Sequence, residues 1–211
     1  MRGIHTAAGE RRGGRALCWP VMTQTEQGVR RAAVYCGSAA GTEPEFLDEA
    51  RKVGAALARA GWGMVYGGAC VGLMGAAADA ALAGGAEVIG VLPEILAGSE
   101  IAHRGLTRLE MVATMHARKA RMVKLADAFL ILPGGYGTLD ELAEIVTWRQ
   151  LRMHAKPLVL VNTRNYWDGL LAFLDTAVEA GFLKPENRAL LEVAADAEAA
   201  VERIERLATS C

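Results

Sequence analysis

The sequence predicts an α/β fold in which helices cover both faces of a doubly wound parallel sheet. Two observations carry this prediction. Short, continuous apolar runs such as 158–161 alternate along the chain with longer helical segments, a pattern typical of buried parallel strands. The chain also has 211 residues, of which 52% are hydrophobic. That length and composition suit one domain with a single core.

Apolar runs and their boundary residues place the individual elements. The predicted strands cover residues 32–36, 63–66, 87–92, 109–112, 128–132 and 158–161. The predicted helices cover residues 42–60, 72–83, 115–125, 138–153, 167–180 and 196–207. Thr42-Glu43-Pro44-Glu45 has the pattern of a capping box at the start of the first helix. Gly61 and Gly181 are placed to end helices.

Charge and cysteine content exclude several classes of function. The net charge is −1 and the pI is near 6.4, which does not fit a nucleic-acid-binding surface. No apolar stretch reaches transmembrane length. The four cysteines are scattered, so we expect reduced thiols in a cytoplasmic protein. The four histidines form no metal-ligand pattern. We therefore predict no metal, no other cofactor, no nucleic-acid partner and no membrane contact.

Residues 1–28 differ from the rest of the chain. They contain several arginines and glycines without apolar periodicity. The segment is basic but has no apolar stretch after it, so it is not a secretory signal. We interpret it as a disordered N-terminal tail, or as residues added by the choice of start codon, since Met22 would also serve as a start.

The most informative segment follows the strand 128–132. Pro133 ends the apolar run, three glycines follow at Gly134, Gly135 and Gly137, and Thr138-x-x-Glu141 then begins a helix. A glycine loop between a strand and a helix N-terminus is a place where phosphate binds. A plain phosphate site has no need of the carboxylates Asp140 and Glu141, so we expect chemistry beside the phosphate.

A second glycine loop follows the strand 63–66. Gly67 and Gly68 begin it, and Gly72 and Gly75 lie where the next helix starts. It is not a P-loop, and neither loop fits G-x-G-x-x-G, so an ordinary strand-to-helix turn is the alternative for each. Both loops, Ser38 and the segment 94–100 follow predicted strands. Since ligands bind at the carboxyl ends of parallel strands, we expect one shared pocket.

Charged residues near these loops are candidates for catalysis. Arg118 could bind a phosphate or carboxylate with two hydrogen bonds, although Arg118 and Lys119 could equally form a solvated basic face. Glu141 could complete a capping box with Thr138. A carboxylate in that place could also stabilise an oxocarbenium-like sugar while a nucleosidic C–N bond breaks. The two roles of Glu141 are compatible.

The motifs resemble those of the Lonely Guy (LOG) family. The matching segments are 66–68 (YGG), 72–75 (GLMG), 115–119 (MHARK), 133–141 (PGGYGTLDE) and 179–183 (EAGFL). The resemblance extends over about residues 30–207, and its one departure is Asp140, where relatives often carry Glu. Members are cytokinin riboside 5′-monophosphate phosphoribohydrolases, often mislabelled as lysine decarboxylases.

This resemblance implies a Rossmann-like catalytic domain over residues 29–211 that forms a homodimer. It implies hydrolysis of an N6-substituted adenosine monophosphate to the free adenine-type base and ribose 5-phosphate, with Arg118 and Glu141 as the catalytic pair. The implied substrate- and phosphate-binding residues are Gly67, Gly68, Glu100, Lys119, Gly134, Gly135, Tyr136, Gly137, Thr138, Leu139, Asp140 and Thr147. The helix from Leu142 to Met153 has more apolar residues than one core-facing stripe needs, so we expect it at the dimer contact.

Two other activities are weighed against this one. Lysine decarboxylation needs pyridoxal phosphate on a Schiff-base lysine, and Lys119, the best-placed lysine, has no evident partner for the pyridinium. A non-catalytic carrier of a nucleotide or of molybdenum cofactor is the stronger alternative. A carrier has no need of a carboxylate at the sugar, so the presence of Glu141 together with Arg118 favours the enzyme.

Overall fold

A computed structural model describes residues 28–96 and 102–209. Its centre is a sheet of seven parallel strands in the order β4-β3-β2-β1-β5-β6-β7. The strands are β1 (Arg31–Tyr35), β2 (Gly63–Tyr66), β3 (Val88–Pro93), β4 (Arg108–Val112), β5 (Ala128–Ile131), β6 (Leu158–Val161) and β7 (Glu192–Ala194). The helices are α1 (Pro44–Arg59), α2 (Gly72–Ala83), α3 (Met115–Leu125), α4 (Tyr136–Gln150), α5 (Asp168–Glu179), α6 (Pro185–Arg188) and α7 (Ala197–Thr209). Short 3₁₀ helices cover Glu94–Leu96 and Thr163–Asn165.

The strand order reverses between β1 and β5. The chain runs outward from β1 through β2 and β3 to β4, then returns to pair β5 with β1, where Ala32 lies opposite Ala128. Such a reversal leaves a crevice at the carboxyl ends of the two central strands, which is where ligands bind in open α/β sheets. The topology therefore places a binding site beside the loops that follow β1 and β5.

Side chains of the sheet alternate between two cores. Along β1, Ala32 and Val34 contact the core formed with α1, α2 and α7, whereas Ala33 and Tyr35 contact the core formed with α3 and α4. Small residues allow α1 and α2 to approach closely, because a Cβ atom on Gly54 would lie 2.1 Å from the carbonyl oxygen of Ala77. Both faces of the sheet are thus buried, as the apolar strands predicted.

Six of the seven strands and the six longer helices match the predicted ones within a few residues. The short β7 and α6 were not predicted. Both predicted capping boxes are wrong: α1 begins at Pro44 after Glu43, and α4 begins at Tyr136 after Gly135, and neither N-cap residue makes a side-chain hydrogen bond to the helix. The predicted tail, residues 1–28, lies outside the described residues except for Gly28. In the described part of the chain, no helix combines the length and apolarity needed to cross a membrane.

Candidate active site

The loops after four strands enclose a cavity of about 370 Å³. Gly37 and Ser38 come from the end of β1, Gly67 from β2, Leu92 from β3, and the glycine loop from β5. The described residues that line the cavity are Cys36, Gly37, Ser38, Gly67, Ala69, Met74, Leu92, Leu96, Arg118, Gly135, Tyr136, Gly137, Thr138 and Glu141. The predicted convergence of the two glycine loops, Arg118 and Glu141 is therefore present.

Arg118 is held against the second glycine loop. Its Nε donates a hydrogen bond to the carbonyl oxygen of Val91 at 3.2 Å, which fixes the plane of the guanidinium. A Cβ atom on Gly67 would lie 1.8 Å from Arg118 Nη2, so only glycine leaves room for this side chain. The remaining guanidinium N–H groups border the cavity, where they can bind oxygen atoms in pairs.

The first turn of α4 has the properties of an anion site. Helix α4 begins at Tyr136, and Gly135 makes no side-chain cap to its N–H groups. Free first-turn N–H groups and the positive end of the helix dipole attract anions. A Cβ atom on Gly134 would lie 2.1 Å from Thr138 Oγ1 and 2.9 Å from the backbone nitrogen of Gly37. Glycine at Gly134 therefore lets the β1 and β5 loops touch.

Glu141 lies one turn into α4 and faces the cavity beside Arg118. Burial, above all, raises the pKa of Glu141 to about 7; Arg118 opposes this shift, Asp140 adds to it, Lys119 opposes it and Glu144 adds to it. A carboxyl group with a pKa near neutrality can change protonation state at working pH. Glu141 can therefore act either as a charge that stabilises a cation or as a proton acceptor for water.

The Lys119 side chain contacts α4 and is not among the described residues that line the cavity. Its Nζ lies 3.2 Å from Asp140 Oδ1, 3.0 Å from Asp140 Oδ2 and 3.2 Å from Glu144 Oε2. The Glu144 oxygen is buried and makes no hydrogen bond of good angle among the described atoms, so that contact is electrostatic. Burial by itself lowers the pKa of Lys119, but hydrogen bonding to Asp140 and the charge of Glu144 raise it overall. Such a lysine is a poor candidate for a Schiff base, which needs a free amine.

The other predicted binding residues have varied surroundings. Tyr136 is 93% exposed and borders the cavity, and Leu139, also on α4, packs against the core on that face of the sheet. Thr147 is exposed, and its hydroxyl donates to the carbonyl oxygen of Ala143 at 2.7 Å. The Gly68 carbonyl accepts a hydrogen bond from the His103 N–H at 2.9 Å. Glu100 lies outside the described residues.

The apolar residues of α4 divide between the core and the surface. Leu142 and Ile145 are buried in this chain's own core, and Val146 and Trp148 pack against the same core, which leaves Leu151 exposed. Exposed apolar side chains lie elsewhere, on β4 at Leu109 and Met111 and at Met115 on α3. Val146 and Trp148 remain partly exposed, so the expected dimer contact on α4 stays a prediction.

Several cavity residues were missed as individual predictions. Cys36, Gly37 and Ser38 directly follow the β1 strand, which was the available signal, and only Ser38 was placed near the pocket. Met74 lies in the matching segment 72–75 and Leu96 in the segment 94–100 that was expected at the pocket, but neither was selected individually, and Leu92 carries no motif. Tyr35 at the end of β1 is also fully buried, and its hydroxyl makes no hydrogen bond to any described atom.

Comparison with known proteins finds relatives that match most of the chain. A family model described as "Possible lysine decarboxylase" matches residues 74–204. The cytokinin riboside 5′-monophosphate phosphoribohydrolase LOG1 of Arabidopsis thaliana is 43% identical over 182 residues, covering 86% of this chain and 85% of LOG1. Its Arabidopsis relative LOG7, of the same name, is 42% identical over 184 residues, covering 87% and 85% of the two chains.

Solved structures of lower identity share the fold. The Moco carrier protein of Chlamydomonas reinhardtii superposes with a TM-score of 0.68 at 24% identity, covering 87% of this chain and all of that one (100%). The molybdenum cofactor binding protein of Rippkaea orientalis gives a TM-score of 0.66 at 22% identity, covering 86% and 99%. These similarities establish the architecture alone. By its identity to the phosphoribohydrolases over most of its length, the chain belongs to the LOG family.

Proposed function

We propose that this protein hydrolyses the N-glycosidic bond of an adenosine 5′-monophosphate, with or without an N6 substituent. The products are the free adenine-type base and ribose 5-phosphate. The observation that carries the proposal is the presence of Arg118 and Glu141 in one cavity, beside an uncapped helix N-terminus that suits a phosphate. The names of relatives at 42–43% identity point to the same reaction.

We assign a step to each group of the site. The first-turn N–H groups of α4 and the backbone of Gly135 and Gly137 hold the 5′-phosphate. Arg118 orients the sugar and phosphate from the opposite wall. As the C–N bond breaks, positive charge develops on the sugar, and the Glu141 carboxylate stabilises it and orients the attacking water. Binding energy at the phosphate thus contributes to the rate at the sugar.

Other contacts are proposed from the family resemblance. Gly67, Gly68, Gly134, Thr138 and Leu139 shape the two loops around the nucleotide. Tyr136 and Asp140 border the phosphate end, and Glu100 and Thr147 contact the substrate.

A non-catalytic carrier is the second candidate. Proteins named as molybdenum cofactor carriers share this fold. The pairing of a half-buried carboxyl group with Arg118 favours hydrolysis, because a carboxylate near the sugar repels a phosphate-bearing ligand unless it serves the reaction.

We also propose that the protein is a cytoplasmic homodimer. Cys36 and Cys70 are not joined in a disulfide within the described part of the chain, which fits a reducing compartment. Leu109 and Met111 expose apolar surface on β4, an edge strand of the sheet, and Met115 continues that surface on α3. A contact between two copies would cover this edge.

A comparison of monophosphate and nucleoside tests the proposed reaction. AMP, isopentenyl-AMP and adenosine are incubated with the protein, and the free base is measured by chromatography. We expect base release from both monophosphates, and kcat/KM for adenosine lower by about 100-fold or more because the phosphate contacts are lost. Equal turnover of AMP and adenosine would contradict the phosphate site. Tight binding of AMP without base release would instead identify a carrier.

A further inference from the structure

Two consecutive peptide units of the loop after β5 are held by different parts of the chain. The carbonyl oxygen of Pro133 accepts a hydrogen bond from the Gly37 N–H at 2.9 Å, so the β1 loop holds the first unit. The carbonyl oxygen of Gly134 accepts one from the Tyr166 hydroxyl at 2.6 Å, so a residue that follows β6 holds the second. Each unit is planar and rigid, so a hydrogen bond to its carbonyl restricts the direction of the whole unit.

The second of these units ends at the N–H of Gly135. The Gly134–Gly135 peptide bond is trans, so its C=O and N–H bonds point in opposite directions. The Gly135 N–H therefore points away from the Tyr166 hydroxyl. Among the described residues this N–H has no hydrogen-bond acceptor, and Gly135 lines the active-site cavity. It is a donor that stays available to an anion beside the first turn of α4.

A strained turn after β6 places Tyr166. Arg164 and Asn165 have φ values of 54° and 60°, in the left-handed region that residues other than glycine rarely adopt. Arg164 Nη1 lies 2.9 Å from Glu45 Oε1 on α1, and the Tyr166 ring meets the Phe46 ring edge-on, with centroids 5.7 Å apart. Because a strained turn persists only when its surroundings hold it, these contacts with α1 indicate a fixed position for the hydroxyl.

Tyr166 and the catalytic pair border different cavities. Tyr166 is not among the described residues that line the active-site cavity. It lines a second cavity of about 310 Å³, which shares Gly37, Ser38 and Gly135 with the first. Tyr166 can therefore affect a nucleotide in the active-site cavity through the loop between the two cavities.

We infer that Tyr166 is a positioning residue of the phosphate site. Its hydroxyl fixes the Gly134–Gly135 peptide so that the Gly135 N–H faces the 5′-phosphate, and it does so without contact to the substrate. The part that concerns the phosphate rests on the proposed function, whereas the effect on the peptide does not. Loss of the hydroxyl should weaken binding of the phosphate and leave binding of the nucleoside part unchanged.

Tyr166→Phe removes the hydroxyl and retains the ring that packs against Phe46. We expect the Kd for AMP, measured by calorimetry, to rise about fivefold and the Kd for adenosine to stay unchanged, as for loss of one neutral hydrogen bond. The ratio of kcat/KM for AMP to that for adenosine should fall by the same factor. Thr176→Val is the matched control. It also removes a hydroxyl that donates to a backbone carbonyl, that of Ala172 at 3.0 Å, and Thr176 is not among the described residues that line either cavity.

The peptide is observed directly in the protein without ligand. The Gly135 amide is assigned by triple-resonance NMR, and its order parameter is measured by ¹⁵N relaxation. In Tyr166→Phe we expect the order parameter to fall from about 0.85, typical of rigid backbone, towards about 0.6. Thr176→Val should leave it unchanged. If AMP binds but no base is released, the proposed hydrolysis fails while the fall in the order parameter and the weaker AMP binding still support the role of Tyr166.

Three results would overturn the inference. An unchanged Gly135 order parameter in Tyr166→Phe would show that the hydroxyl does not hold the peptide. An equal loss of affinity for AMP and adenosine would identify Tyr166 as a contact of the base or sugar. A lower free energy of unfolding with unchanged AMP affinity would assign Tyr166 a structural role alone.

Discussion

At the scale of single residues, the site depends on Gly67 having no side chain. Gly67 provides the space that the Arg118 guanidinium occupies, and the Val91 carbonyl holds that guanidinium in the space. The position of Arg118 is thus set by a strand end and a loop from two other parts of the sheet. Each contact can be removed separately.

Gly67→Ala should displace Arg118 without unfolding the protein. The added methyl group would lie 1.8 Å from Nη2, and the flexible arginine is more able to move than the backbone. We expect kcat/KM for AMP to fall by about 100-fold, as for loss of one charge-stabilising group. Gly169→Ala is the control, because no described atom lies within 4 Å of a Cβ there. A Gly67→Ala variant with near-wild-type kinetics would show that the guanidinium position is not needed.

Arg118→Lys separates charge from geometry. An ammonium keeps the positive charge but cannot bind two oxygens in a planar fork. We expect much of the AMP affinity to remain and most of kcat to be lost, whereas Arg118→Ala should lose both. Steady-state kinetics and calorimetric binding of AMP measure the two quantities. Near-wild-type turnover by Arg118→Lys would reduce Arg118 to an electrostatic anchor.

Glu141 should give the rate an acidic limb near neutrality. Burial raises its pKa to about 7, so the carboxylate form predominates only above that pH. We expect kcat/KM for AMP to fall about tenfold for each pH unit well below 7, and to reach a plateau above pH 8. A pH–rate profile without this limb would show that Glu141 is not needed as a carboxylate.

Replacing Glu141 should separate activity from stability. Glu141→Gln removes the charge, and we expect kcat to fall by roughly 100-fold or more. The folded-state pKa of Glu141 is above the usual value of 4.5. Ionising the buried carboxyl group therefore lowers the free energy of unfolding, and this loss develops as pH rises from 4.5 through 7. That cost is at most about 3 kcal/mol, and less for a half-buried group. Urea unfolding at pH 8 should therefore show no loss of stability in Glu141→Gln. A clear loss there would identify a structural role instead.

At the scale of elements, apolar runs predicted the strands and helices better than boundary motifs predicted their ends. The strand β7 was missed because it has only three residues, Glu192–Ala194, and begins with a charge. The capping box at Thr138 failed because this residue is buried inside α4, where its side chain packs against Gly134. An uncapped start leaves the N–H groups of α4 open to a ligand, which a local motif cannot reveal.

The sequence predicted which loops meet but not how the helices face each other. Gly67, Arg118 and Glu141 could be placed in one pocket because the ends of parallel strands lie at one edge of a sheet. The turn of Lys119 towards Asp140 depends on the rotation and separation of α3 and α4. That arrangement is set by packing against the sheet, which periodicity does not encode.

His154 makes the junction between α4 and β6 sensitive to acid. Its Nε2 donates to the Ile145 carbonyl at 3.0 Å, and its Nδ1 accepts from the Lys156 N–H at 3.2 Å, so the neutral ring is required. Burial lowers the pKa of His154 to about 4. The unfolded chain binds a proton near pH 6.5, so stability is complete above that pH and is lost as pH falls towards 4.

His154→Gln should remove part of that acid sensitivity. We expect the wild-type unfolding free energy, measured in urea, to fall by on the order of 3 kcal/mol between pH 7 and pH 4 through this residue. The variant should be less stable at pH 7 but lose less on acidification. Parallel stability curves for the two proteins would show that His154 does not govern this dependence.

At the scale of the whole molecule, the exposed edge of the sheet carries the prediction about assembly. Leu109 and Met111 lie on β4 and are 38% and 45% exposed. We expect a dimer by light scattering at micromolar concentration, and a monomer for the double variant Leu109→Lys, Met111→Lys, because buried unpaired charges oppose association. The matched control is Phe173→Lys on α5, whose side chain is 65% exposed. A wild-type monomer would refute the dimer, and a dimer unaffected by the β4 changes would place the contact elsewhere.

The close contact of α1 with α2 bears on the order in which the protein folds. Residues 31–83 form a continuous unit of β1, α1, β2 and α2 whose contacts are local in sequence, including the approach of Gly54 to Ala77. Strand β5 must instead reach β1 across almost a hundred residues, from Ala128 to Ala32, and such long-range pairing is slow. We therefore expect the local contacts to form early in folding and the β1–β5 junction to close late. The cavity lies at that junction, so we expect it to be absent from a chain in which only residues 31–83 have folded.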